Sequence, residues 1–205
     1  MASRLPYQPL PLKVAAGHVL LRQDEPADIA WEIVSGAFVE RVRDADGRSL
    51  VLDIAGPGDV TGGVPGQAAG WEVQALCAGS FRVWTGAPEV AACRWAQRFS
   101  GYVTEVVWLD VPTRLERRLE DLARRFGVAV PGGVRIALPL THEELGSLIG
   151  ASRESVSRAI STLRAAGRVR SSGRGRITLL MEPLHLVGDL TSDRTYNNIS
   201  NRSMS

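Results

Sequence analysis

The 25 residues from Thr141 to Ala165, THEELGSLIGASRESVSRAISTLRA, constrain this chain most. Thr141 and Glu144 have the T-x-x-E spacing of a capping box, which starts a helix near His142. Leu145, Leu148 and Ile149 give that helix one apolar face. Gly150 ends it, because a left-handed residue there has little steric cost for glycine. Ser152 can cap a second helix, whose inner stripe is Val156, Ile160 and Leu163. Two short helices are therefore expected to meet across a tight turn, with their apolar faces turned inward.

The outer face of the second helix carries Arg153, Glu154, Ser157 and Arg158. A helix that enters the major groove by its N-terminus presents such a row to base edges. Arginine can grip guanine O6 and N7 with two bonds, and glutamate can accept from cytosine N4. The charge distribution agrees. Residues 1–110 carry 9 basic and 13 acidic side chains, net −4, whereas residues 111–180 carry 13 and 6, net +7. A basic C-terminal half suits a phosphate backbone.

THEELGSLIGASRESVSRAISTLR resembles the helix-turn-helix of the CRP/FNR family of bacterial transcription regulators, with S-R-E-[ST]-V-x-R as the specific core. The resemblance spans roughly residues 15–180. It implies an α+β fold. An N-terminal β jelly-roll of cyclic-nucleotide-binding type would occupy 1–87 and a long dimerisation helix with its hinge 88–110. A C-terminal winged helix-turn-helix would occupy 111–187, and a polar tail, expected to be disordered, 188–205. It also implies a homodimer on double-stranded DNA, with a palindromic TGTGA-like operator. Arg153 and Arg158 would read guanines and Glu154 a cytosine. Ser157 resembles the serine of the oxygen-sensing members and leaves the outer bases open. Thr141, His142, Ser152, Ser155 and the wing residues Ser172 and Arg174 would hold phosphates. Members that activate touch RNA polymerase, often through the loop that here is roughly 128–139.

Upstream, the pattern is short strands and turns. Expected strands run over His18–Leu21, Ile29–Val34, Ala37–Arg43, Leu50–Ile54, Trp71–Ala78 and Phe81–Thr85. Ile29–Val34 is apolar nearly throughout and reads as covered on both faces. Asp44-Ala45-Asp46-Gly47 reads as a hairpin turn and Gly56-Pro57-Gly58-Asp59 as another. Residues 1–14 read as an extended lead-in. The series resembles the cyclic-nucleotide-binding fold, but the ligand segment departs from it. Gly63 stands where a binder of that fold carries glutamate, and Glu72 falls near the place of its phosphate-pairing arginine. A carboxylate repels a phosphodiester, so cyclic AMP is not expected as a cofactor, and no other cofactor is assigned.

Residues 88–109 have the period of a long helix. Ala92, Trp95, Phe99, Tyr102, Val106 and Leu109 recur at threes and fours. This stripe either packs on the chain's own β domain or meets a second copy, and the resemblance favours the second. Trp95, Phe99, Tyr102, Val106 and Leu109 are the expected dimer contacts, with a break near Pro112. Residues 112–127 form the next helix, with Leu115, Leu119, Leu122 and Phe126 inward. A short strand at Val134–Leu138 follows within a loop. Arg168–Arg170 and Ile177–Leu180 read as the strands of a wing.

No apolar run reaches the ~18 residues of a membrane span, and the N-terminus lacks a signal-peptide core; a cytoplasmic protein is expected. Cys77 and Cys93 read as small hydrophobes. No catalytic triad, metal cluster or phosphate loop points to an enzyme. The rival reading is an effector-dependent sensor of the same family, responding to a small ligand, redox state or haem.

Overall fold

A computed structural model describes residues 9–64, 66–172 and 176–180. Two four-stranded antiparallel sheets form the N-terminal half. One holds β1 (Leu12–Val14), β8 (Gly79–Val83), β3 (Ala30–Ser35) and β6 (Val60–Gly62), in that order. The other holds β2 (Val19–Leu21), β7 (Glu72–Ala75), β4 (Phe38–Arg43) and β5 (Ser49–Ala55). Asp44 builds the β4–β5 turn as its spacing predicts, its Oδ1 accepting from the amides of Asp46 at 3.0 Å and Arg48 at 2.9 Å. Phe38, Ile33 and Phe81 fill the space between the sheets, with Trp31 edge-on to Phe81 at 5.9 Å.

Three expectations are corrected here. The lead-in contributes a strand, β1, whose Leu12 lies opposite Phe81. Ile29–Val34 is not covered on both faces: Ile33 is fully buried, but Val34, on the opposite face of β3, is exposed, and so is Ile29, just before the strand begins. Residues 128–139 are not mainly a loop. β9 (Gly127–Val130) pairs with β10 (Gly133–Ile136) around the Pro131-Gly132 turn. The expected strand at Val134–Leu138 corresponds to β10, one or two residues earlier than predicted; β9 was not expected, because four residues directly after a helix are too short to show a period.

α1 (Pro88–Trp108) follows the β half. It stops at Leu109, which is extended, and Asp110 caps α2 (Val111–Phe126) by accepting from the Thr113 amide at 3.0 Å. Leu115, Leu119 and Leu122 are buried as their spacing predicts. α3 (His142–Ile149), α4 (Arg153–Ala165), β11 (Val169–Ser172) and β12 (Arg176–Leu179) complete a winged helix-turn-helix, its sheet ordered β11-β12-β10-β9. The core does not stop at the boundary between the halves. Ala37, Val39, Val51 and Ile54 of the β half belong to one cluster with Leu115, Leu145 and Ile149. Tail residues 188–205 and Arg174 lie outside the described residues. No described helix is long and apolar enough to cross a membrane.

Candidate nucleic-acid interface

Both helices of the motif are capped by their own side chains. The Thr141 amide donates to Glu144 Oε2 at 2.6 Å and the Glu144 amide to Thr141 Oγ1 at 3.1 Å, a complete capping box. Gly150 ends α3 with φ 64°, and a side chain there would also sit 3.3 Å from the Tyr102 hydroxyl. Ser152 caps α4 by accepting from the Ser155 amide at 3.2 Å. Val156, Ile160 and Leu163 are buried, which fixes the opposite face of α4 outward.

That outward face carries Arg153, Glu154 and Arg158, all exposed. Ser157 is half-buried. Its Oγ donates to the Arg153 carbonyl at 3.0 Å and lies 2.9 Å from His142 Nδ1. Arg158 Nη2 donates to Ser155 Oγ at 3.0 Å, and Ser152 Oγ donates to the same oxygen at 3.1 Å. The expected base readers and phosphate holders of the motif are thus brought together around the N-terminus of α4, where backbone amides favour anions. Ser172 lies on β11, where it pairs with Arg176 at the base of the wing.

The β half approaches this site. A cleft of about 850 Å³ is lined on one side by Arg41, Arg43 and Arg48 and on the other by Thr141, Glu144, Ser152 and Arg153. Ser147 closes its floor by donating to the Ser49 carbonyl at 2.8 Å and accepting from the Val51 amide at 3.0 Å. Arg48 is held by Asp44 at 2.6 Å and Asp46 at 3.0 Å, and its hydrogen bond keeps the Asp44 carboxyl below the usual carboxylate range. Glu72 lies 3.5 Å from Arg43. The contacts of Ser147 with β5 and of Glu72 with Arg43 join distant parts of the chain, and local spacing held no signal for them.

α1 divides the expected dimer residues. Phe99 and Val106 are exposed and Leu109 is half-buried, while Trp95 lies on α1 with its side chain outside the described set. Tyr102 is only 6% exposed within one chain and faces inward, with the Arg118 guanidinium 5.4 Å over its ring. Its ring is occupied within the chain, against the turn of the helix-turn-helix. Val103, Val107 and Trp108 are exposed as well, the last two at 63% and 78%. The exposed apolar residues of α1 thus include the expected Phe99 and Val106 and extend to Val103, Val107 and Trp108, which the period did not select.

Comparison with known proteins agrees with this geometry. The Crp-like helix-turn-helix domain model matches residues 113–183. The chain is similar to a CRP-like cAMP-activated global transcriptional regulator of Mycobacterium tuberculosis, 31% identical over 182 residues, covering 80% of this chain and 81% of that protein. A cAMP-activated global regulator of Haemophilus influenzae is 25% identical over 182 residues, covering 79% and 80%. Among solved structures, a CRP/FNR-family regulator of Thermus thermophilus superposes with TM-score 0.71 at 22% identity, covering 87% and 97%. FixK2 of Bradyrhizobium japonicum gives TM-score 0.69 at 24% identity, covering 88% and 96%. A winged helix-turn-helix behind an antiparallel β roll defines a class of DNA-binding transcription regulators. Within it, this chain belongs to the CRP/FNR family.

Proposed function

We propose that the protein regulates transcription as a homodimer on a palindromic TGTGA-like operator and activates without cyclic AMP. The observation that carries the DNA reading is the exposed row Arg153, Glu154 and Arg158 on a helix whose other face is pinned by Val156, Ile160 and Leu163. Two copies of α4 related by a two-fold axis would enter major grooves about 34 Å apart. The exposed apolar stripe Phe99, Val103, Val107 and Trp108 supports pairing of α1 with its counterpart. The exposed Pro131-Gly132 turn of β9–β10 is the surface we assign to RNA polymerase.

Independence of cyclic AMP is supported by the β roll. An ideal side chain at Gly63 would put its Cβ 1.9 Å from that of Ala27, so this backbone has no room for a glutamate there. This lack of room supports the reading that the relatives' activation by cyclic AMP does not extend to this chain.

The test is fluorescence anisotropy with a symmetric TGTGA–TCACA duplex and a scrambled duplex at one stated salt concentration, with and without cyclic AMP. A preference of about 10³-fold or more, unchanged by the nucleotide, is expected. Equal binding to both duplexes refutes the DNA reading, and a preference that appears only with cyclic AMP refutes independence.

One observation favours a second reading, regulation by an anionic effector. The cleft between the β4–β5 hairpin and α3 is lined by Arg41, Arg43, Arg48 and Arg153 together with Glu143 and Glu144. Arg48 is paired with Asp44 and Asp46 and Arg43 with Glu72, so Arg41 and Arg153 are the cations an anion would meet first. Calorimetry with cyclic AMP and cyclic GMP, read against Arg41→Ala, distinguishes this from the effector-free reading.

A further inference from the structure

Ser157 sits on the DNA-facing helix, yet its hydroxyl is already engaged. A serine hydroxyl has one hydrogen and two lone pairs. The Arg153 carbonyl oxygen can only accept, so the hydrogen at 3.0 Å belongs to that bond. His142 Nδ1, 2.9 Å away, must then be the donor. With the hydroxyl hydrogen so assigned, the imidazole carries a hydrogen on Nδ1, and Ser157 is left with one lone pair and no donor.

We infer that His142, from the first turn of α3, is a specificity-determining positioning residue that turns Ser157 into an acceptor-only group toward the base it faces. This rests on the DNA reading above. In the major groove, cytosine N4 and adenine N6 donate, whereas thymine O4 and guanine O6 and N7 accept. An acceptor-only Ser157 selects a cytosine or adenine edge and opposes two lone pairs against a thymine or guanine edge. A serine with a free hydroxyl could serve either, by rotating its hydrogen. His142 thus sets a base preference without reaching a base. It also follows that the phosphate role expected of His142 cannot use Nδ1, because that nitrogen is turned inward.

The experiment has two arms. First, the ring ¹⁵N shifts of His142 in the free protein at alkaline pH identify the tautomer, with no variant and no DNA. An Nδ1–H ring is expected, and an Nε2–H ring with bare Nδ1 overturns the inference. Second, wild type, His142→Phe, His142→Asn and Ser157→Ala are titrated against a half-site panel with every single-base change. Wild type should favour a cytosine or adenine edge at one position by about three- to tenfold, the range of one net hydrogen bond. His142→Phe and Ser157→Ala should flatten that position alone. His142→Asn should restore it, since its amide N–H can donate from nearly the same place. A His142→Phe profile identical to wild type, or lowered uniformly at all positions, overturns the inference. A wild type that discriminates at no position sinks the DNA reading itself, and the ¹⁵N result still reports on the pair separately.

Discussion

Arg125 Nη2 lies 2.7 Å from Asp59 Oδ2, joining the end of α2 to the Gly56–Asp59 turn of the β roll. Asp59 is itself committed to that turn, accepting from the Gly56 amide at 2.8 Å. Arg125 also meets Asp53 and Asp121, each at 3.2 Å, and donates to the Ile54 carbonyl. Burial alone would lower the pKa of this guanidinium; Asp53, Asp59 and Asp121 outweigh it and raise it, so it stays charged. Arg125 thus adds a polar tie between the DNA-binding half and the β half beside the core they share.

Removing that charge leaves three carboxylates gathered around a gap. Arg125→Ala should destabilise the fold by about 2–4 kcal/mol, somewhat below the fully buried case because the side chain keeps 24% of its exposure. Arg125→Lys should fall between the two, since one ammonium cannot span the same set. Urea denaturation measures both, and a loss below about 0.5 kcal/mol, the size of an exposed pair, would show that the ion cluster does not join the halves.

Alkaline pH should loosen α1 from the helix-turn-helix. Burial pushes the Tyr102 phenol up, partly offset by Arg118 and Arg114. The folded state thus favours the neutral phenol more than the unfolded chain does. That stability is complete below the ordinary tyrosine value of 10.0 and is lost as pH rises through the higher folded value. Melting temperature should fall above this point in wild type and fall less in Tyr102→Phe. Parallel curves for the two proteins would remove Tyr102 from the account.

Base reading and phosphate holding should separate by mutation. Arg153→Ala is expected to cost ~1–3 kcal/mol and to relax specificity at one base pair. Arg174→Ala, at a position outside the described residues, should weaken all sequences alike and reduce the salt slope by about one. Equal losses by both variants on specific and random DNA would refute the division.

A charge on the outward face of α1 should break the proposed dimer. Val107→Glu, at a position 63% exposed within one protomer, leaves the protomer's own core untouched. Sedimentation equilibrium should show monomers, and operator affinity should drop on the order of 10²-fold as the two half-sites uncouple. A dimer that survives the substitution would place the interface elsewhere.

Restoring the missing carboxylate to the β roll should not create a nucleotide site. Gly63→Glu drives a Cβ into Ala27 and is expected to cost about 1–3 kcal/mol in strain. Calorimetry should show no heat with cyclic AMP, and a stable variant with restored binding would reverse the pocket argument.

Much of the DNA-binding half could be read from the residues in order. The Thr141–Glu144 box, the Gly150 turn, the Ser152 cap and the Val156–Ile160–Leu163 stripe all lie where their spacing puts them. A cap or a turn involves residues within about four positions, so the local chain contains both partners. Arg153, Glu154 and Arg158 face outward for the same reason, because the buried stripe leaves them no other direction.

Tertiary structure alone decided which face of α1 turns inward, and that Arg125 would find Asp53 and Asp59. It also committed the Ser157 hydroxyl to a histidine fifteen residues earlier. The α1 sequence has apolar residues on more than one face, so its period fits a helix without saying which side meets Gly150. Contacts between elements far apart in the chain depend on how whole faces pack, and no spacing within one element records that choice. The residues themselves settled the order of the parts and the chemistry of the outer face of α4; only packing settled which of those groups were free to use it.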